Sequence, residues 1–169
     1  MPTQSVGLLL RYIALTLQLK PMNPFKWQLI SSLLQQEKLA VIATLNKANY
    51  PQTALIAYAE DKRLCLYFQT GQHTRKAHNL THNSKVALSI GLKEENKMTL
   101  QYEGIAQQLG NSQEIKSLKQ RFLDKKSPTT IEYLERADAI FFKITPTWIR
   151  YSDYSHIKNH PTVFECSFG

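Results

Sequence analysis

The chain has 169 residues, of which 43% are hydrophobic and 20% charged, and its formal net charge is +8. This length and composition favour one globular domain with an apolar core and exclude a chain that is disordered throughout. The positive charge favours anionic partners such as phosphate ligands, nucleic acids or membrane surfaces, although no run of five or six like charges forms a basic tail.

The first 21 residues are apolar but do not have the pattern of a membrane anchor. The apolar stretch is too short and too interrupted to span a bilayer, and it lacks the basic start and the small-residue cleavage site of a signal peptide. Met22 opens a more regular sequence, with Asn23 as a helix N-cap and Pro24 at the first helical position. We therefore predict that residues 1–21 are an extension that precedes the native start.

Apolar spacing divides the first half of the remaining chain into helices and short strands. Residues at helical spacing predict a helix over about 24–36, and a second, short helix is predicted over about 73–82. Apolar and β-branched runs predict four strands, the second and third of which form a hairpin around a tight turn. These strands cover residues 39–45, 53–60, 63–70 and 85–92.

The second half predicts further strands and a pair of helices. A long strand over 97–109 contains Gly104, which is typical of a bulge or a bend. One helix begins with an N-cap and capping-box pair, and another is expected to begin at its Ser-Pro step. The last two strands, AIFFKITP and TWIRYSD, are expected to be separated by a proline. The cap pair is Asn111 with Glu114, the Ser-Pro step is Ser127 and Pro128, and the proline is Pro146.

These elements predict a mainly β protein of the α+β class. Six or seven strands that are mostly joined by hairpins favour a small antiparallel barrel that carries peripheral helices. The domain is expected to cover residues 22–152, with a C-terminal tail over 153–169. No G-x-G-x-x-G fingerprint or P-loop is present, so neither a doubly wound dinucleotide fold nor a P-loop nucleotidase is predicted.

The start of the short middle helix carries hydroxyls and cations, whereas acidic side chains are usually preferred at a helix N-terminus. Thr74 is placed as the N-cap, and Arg75 and Lys76 follow in the first turn, shortly after Thr70. The free amides of a helix start, together with a hydroxyl and two cations, are suited to a phosphate group. The simpler reading, a capped helix with solvated charges, remains open at this point.

The order of these segments resembles the flavin-binding split barrels of the pyridoxamine 5'-phosphate oxidase-like family. The resemblance rests on the strand QTALIAY, the strand LYFQT, the segment TRKAHNL, the strand that contains Gly104 and the late segment PTWIRYSD, and it covers residues 25–152. It implies an antiparallel six- to seven-stranded split β-barrel with peripheral helices. It also implies a homodimer with FMN bound at the subunit interface.

The resemblance also implies which residues bind the cofactor. The segment that starts the short helix would hold the FMN phosphate, and the strand that follows the first hairpin turn would run along the flavin. A further stretch would supply a wall and a hydroxyl near the ribityl chain, and the late strands would place an aromatic or arginine side chain over the ring. In this order, the residues are Thr74, Arg75 and Lys76; Thr53, Ala54, Leu55 and Ile56; Phe68 and Thr70; and Trp148 and Arg150.

The expected function is that of a flavin-dependent oxidoreductase that acts on an unidentified small substrate, with a reduced nicotinamide such as NAD(P)H as a further partner. The C-terminal segment does not match the one that holds pyridoxal-type substrates in the oxidase itself, so a different substrate is expected. No general acid or base stands out, and no catalytic residue is assigned. The first alternative is a protein of the same fold that binds flavin or haem without turnover, and relatives that bind a deazaflavin are also known.

Other partners follow less well from the sequence. A basic barrel that binds single-stranded nucleic acid is the alternative of another class, since Tyr58, Tyr67 and Phe68 alternate with basic residues. These rings lie in apolar runs, however, where core packing is commoner. Two pairs of histidines four residues apart, at positions 78 and 82 and at positions 156 and 160, lack the third and fourth ligands of a zinc site, so no metal site is predicted. Cys65 and Cys166 are too few for a disulfide framework, and free thiols favour the cytoplasm.

Overall fold

A computed structural model describes residues 22–91, 97–155 and 161–168. The predicted extension over 1–21 and the second histidine pair lie outside these residues. The helices are α1 Pro24–Gln36, α2 Arg75–His82, α3 Ser112–Asp124 and α4 Ile131–Leu134. The strands are β1 Leu39–Leu45, β2 Pro51–Glu60, β3 Leu66–Gly71, β4 Lys85–Ile90, β5 Met98–Gln108, β6 Ala139–Asp153 and β7 Thr162–Ser167.

Six strands close into an antiparallel barrel, which confirms the predicted fold class. Their order is β3-β2-β1-β4-β5-β6, and the first half of β6 pairs back onto β3. The second half of β6 pairs with β7 instead, so the C-terminal tail adds a seventh strand to the sheet. Within the described residues, none of the helices has the length and apolar character needed to cross a bilayer.

The long strand β6 differs from the prediction of two strands separated at Pro146. It runs without interruption from Ala139 to Asp153, so the predicted break is wrong. Pro146 lies opposite Gly104, where the β5–β6 register shifts and leaves Thr147 as an extra residue on β6. A proline is tolerated there because a bulge does not require its missing N–H. The bulge predicted at Gly104 is therefore confirmed, and it also explains the continuity of β6.

Side-chain caps decide where the helices begin. The Asn23 carboxamide accepts a bond from the Phe25 amide at 2.9 Å, and Asn111 caps α3, both as predicted. The last helix, α4, begins later than the predicted Ser127, because Thr130 supplies its cap by accepting a bond from the Tyr133 amide at 3.3 Å. The residues between α3 and Thr130 are therefore a connection and not a helical turn.

The apolar residues form two clusters on opposite faces of the sheet. The larger cluster fills the barrel beneath α1 and includes Ile30, Leu34 and Phe68, all of which are fully buried. The smaller cluster lies outside the barrel, where α3 and α4 cover β2, β3 and β6, and it includes Tyr67 and Phe141. Strand β3 thus has a covered face on each side, and all six of its residues are buried.

Candidate functional site

The barrel opens between β2 and β3. Along its other edge, β2 pairs with β1 from Pro51 to Ala57. It pairs with β3 at Tyr58, Ala59 and Glu60, and among the described residues no strand pairs with Thr53–Ala57 on the β3 side. In an antiparallel strand, alternate residues direct their N–H and C=O groups to each side, so this edge of β2 presents free backbone groups. We call the gap between this edge and β3 the split.

Helix α2 closes one end of the split. It begins at Arg75, four residues after β3 ends at Gly71, and it is tied to the start of β2 through Asn79. The side-chain Nδ2 of Asn79 donates to Thr44 Oγ1 at 2.9 Å and to Gln52 Oε1 at 3.1 Å. These bonds fix α2 to both β1 and β2, so the first turn of α2 has a set position relative to the split.

The predicted cap of this helix is present. Thr74 has an extended backbone, and its hydroxyl accepts a bond from the Ala77 amide at 3.4 Å. The Thr70 hydroxyl lies 3.0 Å from that of Thr74 and is fully buried, so it supports the cap from the barrel side. The first turn contains no acidic residue. The amides of Arg75 and Lys76 have no acceptor within the helix, as at any helix start.

The two cations of this turn have different surroundings. Arg75 is exposed, whereas Lys76 is half-buried. Burial lowers the pKa of the Lys76 ammonium, and no neighbouring charge contributes to the shift. Desolvation without a counter-charge disfavours the charged form of a lysine. An anion at this helix start would remove that penalty.

The remaining predicted residues of β2 and β3 do not all face the split with their side chains. Ala54 and Ile56 point into the barrel core, whereas Thr53 and Leu55 point outward, and Leu55 is 59% exposed. Phe68 is fully buried and stacks on Phe142 with ring centroids 5.2 Å apart. Contact between a ligand and this part of β2 would therefore involve the backbone edge more than the side chains.

Trp148 and Arg150 lie elsewhere in the same chain. Both belong to the second half of β6, where they pair with β5 and β7, and Arg150 forms an ion pair with Glu165 at 3.3 Å. Thr70 pairs with Ile140, which precedes Trp148 by eight residues of strand, or roughly 26 Å at about 3.3 Å per residue. One protomer therefore does not bring these two residues to the start of α2.

Gln69 lies within the stretch Phe68–Thr70 that the resemblance places near the ribityl chain, but the sequence predicts no role for its side chain. It is 6% exposed, and among the described residues neither its amide nitrogen nor its amide oxygen has a hydrogen-bond partner. It is the first residue of β3 beyond the part that pairs with β2, and its cross-strand neighbour is Phe141. A glutamine inside an apolar strand run gives no sequence signal, because the lack of a partner depends on the tertiary surroundings.

The aromatic and histidine side chains considered for nucleic-acid and metal binding have the following surroundings among the described residues. Tyr58, Tyr67 and Phe68 are all buried, so their rings cannot serve as a stacking platform for nucleic-acid bases. His78 and His82 share one face of α2, and the His78 carbonyl lies 2.9 Å from Nδ1 of His82. In the part of the chain that the structure describes, no group of three or more His, Cys, Asp or Glu side chains is arranged to hold a metal ion.

Comparison with known proteins identifies the family. A model of the pyridoxamine 5'-phosphate oxidase family matches residues 27–153, which is most of the chain and includes the split and α2. The chain belongs to this family. The search among curated proteins gave no match. The family assignment therefore rests on the family model, and the solved structures support the fold.

Several solved structures share the fold of this member of the oxidase family. A pyridoxamine 5'-phosphate oxidase described as putative, from Listeria innocua, has a TM-score of 0.62 and 20% identity, with 74% of this chain and 96% of that chain covered. A haem-binding protein from Mycobacterium smegmatis has a TM-score of 0.70 and 12% identity, with 87% and 60% covered. An F420 reductase has a TM-score of 0.59 and 22% identity, with 70% and 94% covered. At these identities the likeness establishes the fold alone.

Proposed function

We propose that this protein binds FMN in the split between β2 and β3 and acts as a flavin-dependent oxidoreductase on a small substrate, in the cytoplasm. The observation that carries the proposal is the position of the α2 start. A capped, cationic helix start lies at one end of a gap, and one wall of that gap is a strand edge that no described strand pairs with. The N-terminal end of α2 can hold an anion, and the edge of β2 offers backbone donors and acceptors. Together they suit a ligand that has a phosphate at one end and a polar ring at the other.

The residues at the start of α2 fit a phosphate group. The first-turn amides, the Thr74 hydroxyl, exposed Arg75 and half-buried Lys76 together form a donor set with no acidic member in that turn. A charge-assisted hydrogen bond contributes about 1.5–3 kcal/mol. Two or three such bonds would favour FMN over riboflavin, which has the same ring but no phosphate.

The edge of β2 fits the polar side of a flavin ring. Residues Thr53–Ile56 would hold the ring through backbone N–H and C=O groups, and the side chain of Leu55 would contribute an apolar contact outside the barrel. The flavin would supply the hydride or electron chemistry, and the protein would supply placement and exclusion of water. A reduced nicotinamide is the expected electron donor.

The outer face of the sheet supports a homodimer. On β1 the residues that face outward are Leu39, Val41, Ala43 and Leu45, and they are half-buried or exposed although they are apolar. A sheet face that meets water usually carries polar residues. A groove of about 480 Å³ lies on this face and is lined in part by Ala43, Ala87 and Ile105. A second copy of the chain would cover the face, and it could bring its own Trp148 and Arg150 towards the split.

The first test is the loss of FMN from a double variant. Arg75→Ala with Lys76→Ala should weaken FMN binding by roughly 100-fold, since two charge-assisted contacts are removed, and should leave riboflavin binding unchanged. The matched control is Lys62→Ala with Arg63→Ala, which removes two neighbouring exposed cations in the β2–β3 turn at the other end of β3. Fluorescence titration measures both affinities. Equal FMN affinity in the two double variants would refute the phosphate site.

A second candidate is haem binding without turnover, since the fold is shared with a haem-binding protein from M. smegmatis. The visible spectrum of the freshly purified protein distinguishes the two, because an oxidised flavin and a haem have different absorption bands. Anaerobic addition of NAD(P)H then separates enzyme from carrier. Bleaching of a bound flavin at a catalytic rate supports the oxidoreductase, and a spectrum that stays unchanged supports a binding or sensing protein.

A further inference from the structure

The face of β3 opposite the barrel core carries a polar notch next to the start of α2. Alternate residues of a strand share a face, so Tyr67, Gln69 and Gly71 lie in a row on the side covered by α3 and α4. A Cβ at Gly71 would lie 2.7 Å from Oδ2 of Asp138 and 3.7 Å from Cγ2 of Thr74. The absence of a side chain at Gly71 thus leaves room for the Asp138 carboxylate beside the cap of α2.

Asp138 is held in this notch by two kinds of contact. Its carbonyl accepts a bond from the Gln72 amide at 2.9 Å, which fixes the connection before β6 to the turn before α2. Its carboxylate forms a bidentate pair with Arg136, from Nε to Oδ1 at 2.9 Å and from Nη2 to Oδ2 at 3.0 Å. The Arg136 guanidinium holds the pKa of Asp138 below its ordinary value, and His73 adds to this effect. The carboxylate is therefore charged at neutral pH.

The pair leaves Arg136 able to bind a second anion. A guanidinium has five N–H donors, and two of them serve Asp138. The Arg136 side chain is 52% exposed, so the other donors are accessible. Because Nη2 bonds the same oxygen that lies against Gly71, the guanidinium is placed next to the turn that leads into Thr74. Without its pairing to Asp138, Arg136 would be an ordinary exposed cation in the loop before β6.

Gln69 is a separate observation that points to a ligand on this face. Its amide nitrogen and oxygen are buried without a partner among the described residues, and they lie on the same face as the Gly71 notch, two residues away. A buried amide is normally satisfied by protein or by a bound group. Among the described residues, the protein's own groups therefore leave hydrogen-bonding capacity of this region unused.

We propose that Arg136, oriented by Asp138 in the Gly71 notch, is a third cation of the phosphate site at the start of α2. The inference rests on the proposed binding of FMN and extends it to a residue some sixty positions away in sequence. Asp138 is a positioning residue, because it acts on the phosphate through Arg136. Arg136 also neutralises Asp138, which would otherwise place a bare carboxylate beside an incoming dianion.

This double role makes a specific prediction for charge variants. Arg136→Ala removes one cation and exposes the carboxylate, so FMN should bind at least roughly tenfold more weakly than to the wild type. Arg136→Ala with Asp138→Asn removes the repulsion as well, and its FMN affinity should lie between those of the wild type and of the single variant. Riboflavin should bind all three proteins equally, because it lacks the phosphate.

The experiment compares FMN and riboflavin dissociation constants for the full chain by fluorescence titration at two salt concentrations. Arg63→Ala, an exposed arginine at the far end of β3, is the matched control and should change neither constant. The melting temperature of each variant verifies its fold, and Arg136→Gln replaces any alanine variant that unfolds. The proposal is overturned by an Arg136→Ala variant that behaves like Arg63→Ala, or by a double variant that binds FMN no better than Arg136→Ala.

The same data keep this inference apart from the proposed function. If wild-type protein binds FMN no better than riboflavin, the phosphate site itself is absent and the proposed function fails. If Arg75→Ala with Lys76→Ala loses FMN but Arg136→Ala does not, the phosphate site stands and only the role of Arg136 fails. A parallel loss of riboflavin in the Arg136 variants would assign them a structural role and would also overturn the inference.

Discussion

The surroundings of Lys76 differ from those of an ordinary helix-surface lysine. Its ammonium is partly removed from water, and this burial lowers the pKa of the side chain. Such an arrangement costs the free protein some stability, because the charged form loses hydration without gaining a partner. In the proposed function this cost is offset when a phosphate binds, since the dianion favours the protonated lysine.

The affinity for FMN should therefore depend on pH. The pKa of Lys76 in the free protein lies below the ordinary 10.5, so the ammonium form, which the phosphate favours, is fully present only below that lowered pKa. FMN affinity should fall as the pH rises through it. Lys76→Arg should remove this fall, because a guanidinium stays protonated throughout the range. Titrations between pH 7 and 10 with FMN, and with riboflavin as the phosphate-free control, measure the effect. An unchanged fall in the arginine variant would contradict the assignment.

At the residue scale, local sequence patterns predict some residues of the candidate site but not others. Thr74 was placed as a cap because threonine before a short helical segment is a local signal, and the structure confirms it. Gln69, Arg136 and Asp138 had no such signal. Their importance comes from the pairing of β3 with β6, which brings Asp138 against Gly71. A contact of this kind joins residues far apart in sequence, and no local spacing predicts it.

At the scale of elements, one lysine ties three of them together. Lys125, which follows α3, donates from Nζ to the Leu34 carbonyl of α1 at 2.7 Å and forms an ion pair with Glu60 of β2. Its ammonium also lies 3.8 Å from the centroid of the Tyr58 ring, whose hydroxyl donates to the same Leu34 carbonyl at 2.9 Å. Burial lowers the pKa of Lys125, and Glu60 opposes that shift. The Lys125 side chain thus connects α3, which covers the smaller cluster, to α1 and β2 of the barrel.

Removal of this lysine should destabilise the fold. Lys125→Ala leaves Glu60, which is 17% exposed, without its cation and removes one bond to the end of α1. We expect a loss of roughly 3 kcal/mol in the free energy of unfolding, as for other broken buried ion pairs. Urea denaturation measures the loss. Lys126→Ala is the control, because that side chain is exposed and should change stability little. A similar small effect for both variants would show that the tie is not stabilising.

At the scale of the whole molecule, the outer face of the sheet carries an apolar strip along β1. Ala87 of β4 and Ile105 of β5 extend this strip, and a second groove of about 490 Å³ lies near its edge, next to Leu39 and Leu55. In an isolated protomer such residues would meet water. An interface between two copies would bury them, and it would also set the Trp148 of one copy relative to the split of the other.

A charge on this face should separate the two copies. Ala87→Glu adds a carboxylate at an exposed position of β4, where an isolated protomer would accept it without strain. If the face is a dimer interface, the variant should be monomeric by light scattering at a concentration at which the wild type is dimeric, because an unpaired buried charge is costly. Ser117→Glu on the exposed side of α3 is the control and should leave the assembly unchanged. A dimeric Ala87→Glu variant would place the interface elsewhere.

Most of the local structure follows from local patterns in the chain. Strand β1 was predicted at the bounds that the structure has, and α1 and the Gly104 bulge were also predicted, because apolar spacing, caps and glycine position are local properties. Residues 63–65 were assigned to a strand and instead form a turn closed by the Asp61 carboxylate. Pro146 predicts a break because proline usually ends a strand, and local sequence does not reveal the bulge against β5 that tolerates it.

The position of the split and its surroundings depend on long-range contacts. The sequence placed a cationic helix start after β3, but the length over which β2 and β3 pair depends on how the barrel closes through β6. Among the described residues, that closure leaves the edge of β2 unpaired, buries Gln69 without a hydrogen-bond partner, and brings Asp138, which pairs with Arg136, against Gly71 at the end of β3. Long-range pairing fixes these contacts, and it is set by the packing of the whole barrel and not by any segment alone.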